Sequence, residues 1–143
     1  MVKAAVVVLT VLMIFAGLYS LLLIVRPQIV AESTLKARTG QTLASTPDKG
    51  AADALVIQTR HLGVIALGAT IAVFFILYAG FRKVQRWAWW GILIVGLIVW
   101  GYGLYTEIAE GDVLNMVLHL VGIGLLIVGV LLPVKDFFAK SKT

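Results

Sequence analysis

Apolar residues in this chain fall into four long blocks, roughly 4–25, 60–81, 87–106 and 113–134. About 20 such residues, at 1.5 Å rise each, cross a ~30 Å hydrocarbon core, so each block predicts a membrane-spanning helix. Charges and breakers set the limits. Lys3 precedes the first block and Arg26-Pro27 closes it; Arg82-Lys83 ends the second and Arg86 opens the third. Glu107 ends the third, Gly111-Asp112 opens the fourth, and Pro133 with Lys135 finishes it. The expected fold is all-α: one polytopic domain over 1–143, with four spans in an up-down bundle. The first block is longer than the ~7–15 apolar residues of a secretory leader, so it is expected to stay as an anchor.

Residues 26–59 form the one long connection, an extramembrane loop whose STLKARTGQTLASTPDKG stretch is too polar to build a core. Near its end Thr46 reads as an N-cap, Pro47 as the first helical residue and Asp48 as a first-turn acid. If Gly50 does not interrupt it, the second helix then runs from about 47 to 81, or ~50 Å. That exceeds the hydrocarbon core, so about four turns would stand above the membrane. The loop is read first as a connection and second as a docking surface.

Composition agrees with lipid as the main solvent. Of 143 residues 61% are hydrophobic and 13% charged, too few polar groups to cover a soluble domain. There is no cysteine, which removes disulfides, thiolate metal sites and cysteine nucleophiles. The net charge of +5 reflects topology rather than nucleic-acid binding. The RKVQR turn at 82–86 is basic, whereas TEIAEGD at 106–112 carries only acids. Putting RKVQR in the cytoplasm also puts both termini there, together with Lys3, Lys135, Lys140 and Lys142. Arg26, Lys36, Arg38, Lys49 and Arg60 then lie outside, mostly in the long loop, where they count for less. A cell (plasma or inner) membrane is the expected location. Trp87, Trp89 and Trp90 follow Arg86 at headgroup level, with Tyr102 and Tyr105 near the other end of that span.

Small and polar residues recur at 3- and 4-residue steps, the spacing of helix contacts in lipid. Asp112, Asn115, His119, Gly122, Leu126 and Gly129 share one stripe of the fourth span; Gly96, Trp100, Gly103 and Glu107 share one in the third. In the second span His61, Ile65, Gly68, Ala72, Phe75 and Ala79 share a face. Gly68, Gly96, Gly103, Gly122 and Gly129 are the expected packing residues. The outer helix ends bring Arg60, His61, Glu107, Glu110, Asp112, Asn115 and His119 to one side of the membrane.

Ionisable groups in a span invite a functional reading, and His61 and His119 are the candidate cofactor ligands. A bis-histidine haem needs two imidazoles at one depth. His61 lies about 31 Å above Arg82 and His119 about 24 Å above Lys135, a mismatch of roughly 7 Å. Packing of His119 against Asn115, a carbonyl or an acid is therefore preferred, with quinone contact or proton relay kept open. No nucleophile motif, phosphate-binding glycine loop or HExxH is present, so no catalytic or metal-binding residue is assigned. Thr70 alone cannot line a pore, which weighs against a transporter or channel.

Arg60-His61 with glycines opening the second helix, the short basic RKVQR turn and an apolar C-terminal pair resemble DoxX-like and related uncharacterised small prokaryotic four-helix membrane proteins. The resemblance covers residues 60–134 and rests on layout. It implies a link to membrane quinone–oxidase assemblies and transfers no functional residue. The expected function is that of a non-catalytic accessory or structural subunit, with lipid, other membrane subunits or a second copy as partners. An outer-side electron-transfer or quinone/haem-contacting protein using His61 and His119 is the alternative, and a small transporter the second.

Overall fold

The computed structural model describes residues 1–139, and their regular structure is helical throughout. Lys140 and Lys142, assigned above to the cytoplasmic side, lie outside the described residues. Helix α1 spans Val2–Val25, α2 Pro27–Thr39, α3 Lys49–Ala79, α4 Arg86–Gly96, α5 Tyr102–Glu110, α6 Val113–Leu131 and α7 Val134–Phe138. Residues Leu97–Gly101 form a π-helical turn that joins α4 and α5 into one run. Four helical stretches are long and apolar enough to cross a membrane: Val2–Val25, Lys49–Lys83, Arg86–Glu110 and Val113–Leu131.

The long connection is more ordered than its composition predicts. Arg26 ends α1 and starts α2 at once, with Pro27 supplying the preset φ of a first helical turn. Pro27 and Ala31, one turn apart, are buried, and Gly40 closes α2 in the left-handed conformation. A thirteen-residue helix thus occupies the start of the expected loop. The cap of α3 also differs from expectation. Thr46 Oγ1 donates to the Thr42 carbonyl at 2.8 Å, while Asp48 Oδ1 accepts from Ala51 N at 3.0 Å. Thr46 is spent inside its own turn, so Asp48 caps the helix and Pro47 stays outside it.

Helix α1 is the centre of the bundle, packed along α3 on one side and α6 on the other. A Cβ at Gly63 would lie 2.7 Å from Leu23 Cβ and 3.0 Å from the Ser20 carbonyl oxygen, so this glycine sets the α1–α3 approach. On α3 the buried residues are Ala52, Thr59, Gly63, Val73 and Leu77. The face singled out in the sequence is displaced from that set by two residues, about 200° around the helix. It looks outward: Ile65 and Phe75 are 70% and 68% exposed, and a Cβ at Gly68 would meet nothing within 4 Å. Gly68 is therefore not a packing residue within the chain. In an all-apolar helix, sequence spacing shows which residues share a face but not which face is covered.

The opposite end of the bundle closes around α7. Phe81 and Phe137 rings pack at 4.8 Å, Arg86 Nε donates to the Phe137 carbonyl at 3.0 Å, and the Met1 amino group lies 3.5 Å from Asp136. The first and last described helices and the basic turn thus share one end. Of the three tryptophans beside Arg86, Trp89 turns into the bundle. It is buried at 7% exposure, and its indole N–H donates to the Val130 carbonyl at 2.9 Å. Helix α6 ends at Leu131, so its last carbonyls lack partners within the helix, and Trp89 meets the one at Val130. Trp87 and Trp90 remain exposed.

In the basic turn Val84 takes φ 59°, ψ 34°, a left-handed conformation disfavoured for a β-branched residue. Bonds from Val84 N to the Phe81 carbonyl and from Gln85 N to the Gly80 carbonyl hold it there. Val84→Gly is expected to stabilise the protein by about 0.5–1 kcal/mol, the strain relieved outweighing the flexibility gained by the unfolded chain. Thermal unfolding in detergent followed by circular dichroism reads this as a higher midpoint; a lower one contradicts it.

Candidate functional site

The other end of the bundle gathers most of the polar side chains expected there, together with some that were not. Gly111, at φ 73°, ends α5 with bonds from its own N–H to the Ile108 carbonyl and from Asp112 N to the Glu107 carbonyl. That pairing is the Schellman closure, which satisfies two terminal carbonyls and turns the chain into α6. Asp112 then caps α6, its Oδ1 accepting from Asn115 N at 3.2 Å.

Asp112 and Asn115 are 2% and 1% exposed, and each links several elements. Besides the cap, Asp112 accepts from Asn115 Nδ2 at 2.8 Å, Ser33 Oγ at 3.2 Å and Thr34 Oγ1 at 3.4 Å. Asn115 Oδ1 accepts from the Tyr19 hydroxyl at 2.9 Å. The buried carboxylate is thus met by hydrogen-bond donors from α2 and α6, and Asn115 extends the network to α1. Arg38 of α2 forms an ion pair with Glu110 of α5, adding the fourth helix.

His119 lies one turn below Asn115. Its Nδ1 is 2.8 Å from the Asn115 carbonyl oxygen, and a carbonyl can only accept, so this nitrogen carries the hydrogen. A Cβ at Gly103 would overlap the imidazole at Nε2. Trp100, from the π-helical turn, meets the same imidazole edge-on at 5.6 Å and stacks with Phe15 at 5.9 Å. The Trp100 ring covers Gly122, where a Cβ would overlap it. Gly96 and Gly129 receive Leu126 and Leu9 in the same manner, each 2.6 Å from where a Cβ would stand.

The structure therefore brings Glu110, Asp112, Asn115 and His119 together with Tyr19, Ser33, Thr34, Arg38 and Trp100. Glu107 adjoins them, within electrostatic reach of Asp112 and Arg38. Its Oε2 is buried without a hydrogen-bond partner among the described residues. Arg60 and His61 stand apart, both exposed on α3. His61 follows buried Thr59 by two residues, on the outward side of that helix, whereas His119 lies between α5 and α6. The two imidazoles do not converge on one ligand position. Tyr19 could have been noticed as a polar residue within an apolar block; Ser33 and Thr34 gave no sequence signal, because only the docking of α2 gives them a partner.

Fold and surface define a small helical protein of the multi-pass membrane type, with residues such as Val7, Leu18, Ile98 and Leu131 exposed. No family model, curated protein or solved structure matches this chain.

Proposed function

We propose that the chain is a non-catalytic accessory subunit of a larger membrane assembly, in a cell membrane, with both termini and the RKVQR turn in the cytoplasm. The observation that carries this reading is the outward face of α3. Small residues in lipid serve close helix approach, and Gly68, Ala72 and Ala79 all lie exposed there with His61 at the outer end. The polar cluster supports it from the other side. Its hydrogen bonds join α1, α2 and α6 and the Arg38–Glu110 pair adds α5, which suits a rigid scaffold better than a reacting centre. The orientation rests on the basic turn and the acidic 106–112 hairpin.

A photo-crosslinker at position 65 of the natively expressed protein is expected to give one discrete higher-mass product. The same probe at position 120, on the outward side of α6, is expected to give none. Gly68→Trp should abolish the product without lowering the thermal midpoint of the isolated chain. A monomer after gentle extraction, with no product from position 65, overturns the proposal.

A further inference from the structure

At the end occupied by α7, a shallow, wide-open surface depression of about 710 Å³ is lined by Lys3, Val84, Lys135 and Asp136. A second, apolar hollow of about 430 Å³ shares Met1 and Lys135 with it and continues along Ile127, Val128 and Leu131 of α6. These three side chains are 45–59% exposed. Cationic and apolar hollows thus adjoin, with Lys135 at their junction.

Charge at the depression is predominantly positive. Lys3 and Lys135 are exposed and make no ion pair among the described residues, and Arg82 and Lys83 stand on the adjoining turn. Asp136 on the rim is met by the Met1 amino group at 3.5 Å. Lysine ammonium groups bind phosphate as point charges, and basic pockets between membrane helices hold anionic headgroups. We propose that this is a binding site for one anionic phospholipid, its phosphate between Lys3 and Lys135 and one acyl chain along Ile127, Val128 and Leu131. The inference rests on the membrane reading above and adds a ligand class to it. A zwitterionic lipid brings a compensating cation and gains less from the two lysines; a free phosphate lacks the chain that the apolar hollow accepts.

Native mass spectrometry of the full chain, released from micelles doped with phosphatidylglycerol or phosphatidylcholine, tests the site. One phosphatidylglycerol is expected to stay bound in preference to phosphatidylcholine. The Lys3→Gln/Lys135→Gln double variant should weaken retention roughly thirtyfold, from two lost cations near the surface. Lys3→Arg/Lys135→Arg should retain it, and so should Lys36→Gln/Lys49→Gln, which removes the same charge at the other end. Inorganic phosphate at equal concentration should not displace the lipid. Circular dichroism checks that the variants are folded, and carbonate extraction of the expressed protein tests the membrane reading separately. Equal retention of the two lipids, equal loss in the Lys36/Lys49 control, or displacement by phosphate overturns the proposal.

Discussion

Asp112→Ala is expected to cost about 2–3 kcal/mol, measured as a lowered denaturation midpoint in a mixed-micelle titration with sodium dodecyl sulfate. Two contributions add. Loss of the α6 cap is worth about 1 kcal/mol. Removing the shared acceptor also leaves Asn115 Nδ2, Ser33 Oγ and Thr34 Oγ1 without the partner they meet in the folded chain. Buried unsatisfied donors cost about 1–3 kcal/mol. The two hydroxyls recover part of that by turning to water or to backbone carbonyls, so the lower half of the range applies. Asp112→Asn keeps an oxygen for the cap and should lose less than half as much. Equal losses for the two variants would mean that the negative charge, and not the acceptor geometry, holds the cluster.

Gly122→Ala and Gly68→Ala are the same substitution and are expected to act with opposite sign. At 122 the new methyl overlaps the indole of Trp100, which Phe15 and His119 hold on its other sides. A rigid ring cannot swing away as a leucine tip can, so overpacking wins over the gain in helix propensity, at a net cost of about 2 kcal/mol. At 68 nothing stands within 4 Å, and only the propensity gain remains, under about 1 kcal/mol in the stabilising direction. Unfolding of the isolated chain in one detergent compares them directly. A stabilising alanine at 122, or a destabilising one at 68, would show that the helices are packed otherwise.

The fourth and third spans were the most legible. Asp112, Asn115, His119 and Gly122 follow one stripe, and in the structure the Asp112 cap, the His119–Asn115 bond and the Gly122–Trp100 contact lie along it. Polar residues among apolar ones mark a direction, because lipid is a poor place for them. The second span carried its ionisable mark, His61, only at its outer end, and the stripe of small residues that His61 shares proved to face outward. Helix α2 was obscured for a different reason. Its polar composition argues against a core, yet buried Pro27 and Ala31, with the Ser33 and Thr34 hydrogen bonds to Asp112, dock it, and Gly40 ends it.

The sequence by itself determined four helices of membrane-spanning length, the basic turn between the second and third, and the breaks that delimit them. Hydropathy and charge decide these along the chain, one residue at a time. Only the tertiary structure decided that α3 packs through Gly63 rather than Gly68, that Trp89 reaches the end of α6, and that α2 brings Ser33 and Thr34 to Asp112. In water, a helix reveals its buried face by its apolar side. In lipid both sides are apolar, so shape and hydrogen bonds between distant residues make that choice.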